Sequence, residues 1–312
     1  MKPILSFRIR NCFEACRHFW GFILLGQLFL AVSGTAAAEQ PPGVKVALID
    51  SGISPIAIDA AHIGKGWNYA LPRRDTADVI GHGTALAGLI LESAPDAVLV
   101  PLVYDTRTAG GKPVQSDLNT IVRIIRDAVD EYDCQVINLS AGVTRDVPAL
   151  REAIAYAEQQ GVVVVASVGN RQRTAPELTY YPAAYETVIG VGALRQDGRA
   201  ASFSQRNGVT LAAPGEKLQV LGLRGESTTA SGTSYAAAQV TGAVAAVLAA
   251  QPGLQPEQVR QLLYDSARDV EAAGFDPDTG YGAVQMDEAL KLVRTGGYGS
   301  LKTGRAGLEG PL

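Results

Sequence analysis

The sequence predicts an α/β fold, a three-layer α/β/α domain built on a mainly parallel sheet. Three observations lead there. From residue 44 onward, short apolar runs alternate with longer stretches of helical spacing. The runs are unbroken in Val, Ile and Leu, as strands are when helices cover both faces of their sheet. Strand–helix alternation of this kind implies right-handed crossovers between parallel neighbours. The composition agrees: 312 residues, 47% hydrophobic and 19% charged, allow a large core and speak against general disorder.

Residues 1–38 read as a signal peptide. A basic stretch ends near Arg17, the almost wholly apolar "FWGFILLGQLFLAV" follows, and Ala36 and Ala38 give a small-x-small site for cleavage before Glu39. The alternative is a retained membrane anchor, since Phe19 to Ala38 has just the length of a span. The leader carries +3 (Lys2, Arg8, Arg10 and Arg17 against Glu14), so the net −4 of the chain leaves −7 on the remainder. An acidic body gives no reason to expect nucleic acid as a partner. Cys12 and Cys16 leave with the leader. Cys134 then stands alone, as a small buried packing residue.

The domain is expected over 39–290. "VKVALI" (44–49) is its first strand, "HGTALAGLILESA" (82–94) a helix, and "AVLVPLVY" (97–104) a strand with Pro101 near its middle. "SDLNTIVRIIRDAVDEY" (116–132) is a helix capped by Ser116 or Asp117. "QVINLS" is a strand, and "VPALREAIAYAEQQG" a helix closed by Gly161. "VVVVASV" and "TVIGVGAL" are strands; helices follow at 234–251 and 256–267. Residues 291–312, rich in Gly, are expected to form a flexible tail.

In open parallel sheets, chemistry gathers at the carboxyl ends of strands. Asp50, Ser140 and Asn170 stand at such ends, and His82 and Ser234 each open a helix. Nucleophilic catalysis by serine needs an exposed hydroxyl, an imidazole to take its proton, a carboxylate to orient the imidazole, and donors for the oxyanion. Singly, each residue has a plain structural reading: Ser234 as a helix cap, His82 and Asn170 as turn residues, Asp50 as a strand end. With the leader gone, the imidazole is His62 or His82.

Together the motifs are specific. "VALIDSGI", "GHGTALAGLI", "VINLSAG", "VVVVASVGN", "YPAAYETVIGVGAL", "FSQRNGVTLAAPG" and "SGTSYAAAQVTG" occur in that order. The chain resembles the subtilisin-like serine peptidases across nearly all of 44–290, with the Asp, His, Ser order of that family. The resemblance implies that Asp50 orients His82, that His82 is general base and then acid, and that Ser234 is the nucleophile. Asn170 and the Ser234 backbone N–H would form the oxyanion hole. Ser140, Ala141 and Gly142 would pair with an extended substrate. Ala166, Ser167, Val168 and Gly169 would help wall the pocket for the residue before the cut, whose small apolar rim predicts apolar or aromatic side chains there.

The chain departs from the family pattern in places. Tyr235, Ala236, Ala237 and Ala238 stand where the family reads Met-Ala-x-Pro, which alters the local helix and leaves the triad. Residues 39–49 are too few for a folding pro-segment, so the domain is expected to fold alone or with a partner's help. No cofactor is expected and no metal ligands are assigned; calcium is a frequent stabiliser in the family, but no motif supports it here, "DPDTG" (276–280) reading as a turn. The expected function is a secreted or periplasmic serine endopeptidase acting on polypeptides. Contact with a membrane is expected only if the leader is retained, and a monomer is the default. The competing reading is an inactive module of the same fold that binds or regulates.

Overall fold

The computed structural model describes residues 43–296. The leader, and the tail beyond 296, lie outside the described residues. The first strand, β1 (Lys45–Asp50), is buried along almost its whole length. Its side chains alternate between two cores, Val46 and Leu48 facing one and Ala47 and Ile49 the other. That two-sided burial is why the run reads as continuously apolar.

A 3₁₀ turn (Ala60–His62) and the two-residue β2 (Trp67–Asn68) precede helix α1 (His82–Ser93). Then come β3 (Val98–Val103), a short hairpin of β4 (Asp105–Arg107) and β5 (Pro113–Gln115), and α2 (Leu118–Asp130). Asp117, not Ser116, caps α2 by accepting from Thr120 N at 2.8 Å. β6 (Val136–Leu139), α3 (Pro148–Gln159), β7 (Val163–Ser167) and β8 (Ile189–Leu194) follow. β9 (Leu211–Pro214), the antiparallel pair β10 (Leu218–Leu221) and β11 (Ser227–Ala230), and three helices complete the domain: α4 (Thr233–Ala250), α5 (Pro256–Ser266) and α6 (Met286–Arg294).

Seven strands form one parallel sheet in the order β2-β3-β1-β6-β7-β8-β9. Residues of α1, α4, α5 and α6 join the core on one face, and those of α2 and α3 the core on the other. These are the three layers the sequence predicts. Each fully buried Val, Leu or Ile contributes about 1.5–3 kcal/mol. α4 is apolar all round, with mean hydropathy 1.3, because it lies in the middle of its layer and packs on α1 and on strands β6 to β9.

Pro101 is tolerated inside β3 because of where its missing N–H points. The carbonyls of Leu99 and Val103 both accept from the outer edge, from Gly64 N and Tyr69 N. Pro101 faces that same edge by the two-residue period, between those two contacts and away from β1. At the other terminus, α6 runs to Arg294 with Val293 buried, so the first residues of the predicted tail belong to a helix.

β1 and β6 are neighbours, yet the helix after β1 lies on one face and the helix after β6 on the other. The crevice opened by such a switch is where α/β sheets place their ligands. Asp50 ends β1, Ser140 follows β6, and Asn170 follows β7, on three adjacent strands.

Candidate active site

Asp50 is almost fully buried, and its carboxylate meets His82 with both oxygens, Oδ1 at 2.8 Å and Oδ2 at 3.0 Å from Nδ1. Ser51 N donates to Oδ1 at 2.8 Å. A carboxylate only accepts, so Nδ1 carries the proton, and Nε2 of the neutral ring is left as an acceptor.

Several contacts fix the start of α1. Asp78 accepts from Ile80 N, Gly81 N, Thr84 N and Thr84 Oγ1. Gly83 N donates to Ser51 Oγ at 2.9 Å. Gly83 has to be glycine: a Cβ there would stand 2.2 Å from the Gly52 carbonyl oxygen and 3.2 Å from Asp50 Oδ1. Only a bare backbone lets the helix come close enough for His82 to reach Asp50.

The His82 pKa is raised above its usual 6.5. Burial pulls it down, but the charge of Asp50 and its hydrogen bond, with the charges of Asp78 and Asp105 beyond, outweigh that pull. His62, the other imidazole the sequence leaves open, sits with Nδ1 3.4 Å from the carbonyl of Ala97, just ahead of β3 and so at the amino ends of the strands.

Ser234 is the second residue of α4 and 7% exposed. Neither its hydroxyl nor its backbone N–H has a hydrogen-bond partner among the described residues, and none joins it to His82. The first turn of α4 does reach the imidazole: the Tyr235 ring meets His82 edge-on, centroids 5.5 Å apart. Asn170 is locked from the same turn. Its Oδ1 accepts from Thr233 N at 2.9 Å and Thr233 Oγ1 at 3.0 Å. A backbone N–H only donates, so the oxygen must face Thr233 and the amide Nδ2 must face away. Nδ2 is unpartnered among the described residues, beside Gly232, where a Cβ would lie 3.6 Å from it.

Ser140 Oγ accepts from Asn138 Nδ2 at 3.4 Å, and Asn138 Oδ1 accepts from Thr241 of α4 at 2.9 Å. Ala141 packs on the core beside α2 and α3. Ala166 and Val168 are fully buried in that core and Ser167 is nearly so; Gly169 N donates to Thr233 Oγ1 at 3.3 Å. Of this second segment, Gly169 is the residue that is not buried. Sequence reasoning misses Thr233, Asp105 and Tyr180, whose parts depend on residues far along the chain, and Asp78, which acts on the helix start just after it. The clue for Asp78 is its place four residues before His82, where a carboxylate reaches a helix N-terminus.

Residues 42–282 match the subtilase family, Peptidase_S8. This chain belongs to the subtilase family. It is 32% identical to fervidolysin of Fervidobacterium pennivorans over 93% of its own length and 46% of that protein. It is 31% identical to subtilisin DY of Bacillus licheniformis over 74% of its length and 86% of that protein. Among solved structures, fervidolysin superposes with a TM-score of 0.71 at 31% identity, covering 83% of this chain and 43% of that one. A lanthipeptide protease superposes with a TM-score of 0.68 at 28% identity, covering 80% and 87%. Against fervidolysin, the minor extracellular protease Epr of Bacillus subtilis and a thermophilic serine proteinase of a Bacillus strain, this subtilase spans 46%, 38% and 58% of their lengths.

Cys134 is the one cysteine among the described residues. Cys134 is buried in the core beside α2, and burial pushes its pKa up to about 12. Asp276 of "DPDTG" accepts from Asp278 N, Thr279 N and Thr279 Oγ1, the hydrogen bonds of a turn.

Proposed function

We propose that this subtilase is a serine endopeptidase whose nucleophile is Ser234. The observation that carries the reading is the Asp50–His82 pair beside a helix start where a hydroxyl, a backbone N–H and an amide all lack partners among the described residues. Ser234 Oγ attacks the scissile carbonyl while His82 Nε2 takes its proton. Asp50 holds the ring in the tautomer this needs and stabilises the imidazolium that forms. The carbonyl oxygen, now negative, accepts from Asn170 Nδ2 and Ser234 N–H. Collapse expels the amine, which takes the proton from His82, and leaves an ester on Ser234. Water then attacks that ester with the same base.

Ser140 to Gly142 pairs with the substrate backbone as an added strand, which suits extended polypeptides. The steps need no cofactor. Export through the leader, with cleavage before Glu39, would place the enzyme outside the cytoplasm, secreted or periplasmic.

A fluorophosphonate probe tests the reading. Wild type should label, and Ser234→Ala should not, with kcat lowered by on the order of 10⁶-fold. A well-folded wild type that stays unlabelled would favour a binding module instead.

A further inference from the structure

The two segments implied to flank the substrate side chain leave the carboxyl ends of adjacent strands, β6 and β7. Between them stands a side chain from a third segment, Tyr180. A Cβ placed on Gly169 would lie 2.6 Å from Cδ2 and 2.7 Å from Cε2 of the Tyr180 ring. A Cβ placed on Gly142 would lie 3.5 Å from Cδ1, on the opposite edge of the same ring. The ring is therefore wedged between two glycines. At Gly169 φ is +101°, and even alanine would both strain the backbone and strike the ring.

The backbone under the ring is held in place. Tyr181 pairs with Val143 in both directions, N to O at 2.8 Å and O to N at 2.9 Å. Tyr180 O accepts from Ala184 N at 3.0 Å, and the Tyr181 ring packs on Tyr185. Tyr180 is thus fixed to the strand continuation that runs on from Ser140 to Gly142.

We propose that the Tyr180 ring fills the pocket for the residue before the cut, so that this enzyme cleaves after small residues (Gly, Ala, Ser) and excludes aromatic ones. The proposal rests on the serine endopeptidase reading above. A substrate strand along 140–142, with its carbonyl at Ser234, must send that side chain toward the gap between Gly142 and Gly169. The gap already holds an aromatic ring. This replaces the apolar or aromatic preference expected from the small residues of the rim: those residues are small because they accommodate a side chain of the enzyme itself.

The test is a fluorogenic peptide series varied only at the residue before the cut, run on wild type, Tyr180→Gly and Tyr180→Phe. Wild type should favour Ala over Phe by at least about tenfold in kcat/KM, the scale on which a pocket rejects a group it lacks room for. Tyr180→Gly should shift the Phe-to-Ala ratio toward Phe by at least about tenfold. Tyr180→Phe, which keeps the ring, should retain the wild-type profile. Wild type that cleaves after Phe as readily as after Ala would show that the ring swings aside and would overturn the proposal, even if the glycine variant does not fold. An unchanged profile in folded Tyr180→Gly would overturn it too. Probe labelling of Ser234 separates the two claims: a labelled enzyme with the wrong profile sinks the pocket alone, whereas a folded enzyme that never labels sinks both.

Discussion

The two halves of the crevice treat their polar atoms in opposite ways. On the His82 side nearly every group has a partner: both Asp50 oxygens, both Asp78 oxygens, Ser51 Oγ and Thr84 Oγ1. On the Ser234 side Thr233, Gly169 N and Asn170 Oδ1 are paired, whereas Asn170 Nδ2, Ser234 N–H and Ser234 Oγ have no partner among the described residues. These three lie in or beside the first turn of α4. On the proposed reading they are the groups a substrate meets, so the first half orients and the second half reacts. That division can be broken from either side.

The larger effect belongs to the orienting half. Asp50→Asn keeps the shape but lets an amide N–H face Nδ1, which favours the wrong tautomer of His82. On the scale of serine triads in general, kcat should fall by about 10⁴-fold, with KM little changed. A loss below tenfold would mean that Asp50 serves the fold and not the reaction.

On the reacting half, Asn170→Ala removes one of the two proposed oxyanion donors and should lower kcat by about 10²–10³-fold, a magnitude known from subtilisins. Because the amide acts on charge that develops in the transition state, KM should move little. A variant that loses substrate affinity instead, with kcat intact, would make Asn170 a binding residue and erase the contrast between the halves.

How much of this was legible in the sequence follows the range of the interactions. β1, β7 and β8 announce themselves because burial on both faces leaves unbroken apolar runs, β6 does so with one interruption at Asn138, and α1 to α5 do so through spacing and stops. β2 and β9 do not: runs of two and four residues are strands only because of what they pair with. α6 is hidden by the Gly-rich stretch that follows it. Asp50, His82, Asn170 and Ser234 are legible through the motifs around them. Thr233 is not, since its hydrogen bonds span 63 residues to Asn170. Nor is Tyr180, whose ring finds its place between glycines on two other segments.

The finest test of the comparison lies just outside the orienting half. Asp105 opens β4, next to Tyr104, whose N–H donates to the Asp50 carbonyl at 3.0 Å. Its charge is one of those that raise the His82 pKa, after the larger contribution of Asp50 and that of Asp78. On the proposed reading only the neutral ring accepts the Ser234 proton, so activity should fall as the pH drops through that raised value. Asp105→Asn removes a negative charge, lowers the His82 pKa and should move the acid limb of the kcat/KM profile to lower pH. The plateau rate should stay, because Asp105 makes no contact with Nδ1. Stability should respond with the opposite sense: a raised folded-state pKa stabilises the protein fully below pH 6.5 and loses that contribution as the pH climbs through the folded value. In the variant the acid-side stability that His82 contributes should therefore shrink while acid-side activity grows. An acid limb that stayed in place, or moved upward, would mean that His82 is tuned by Asp50 and Asp78 alone.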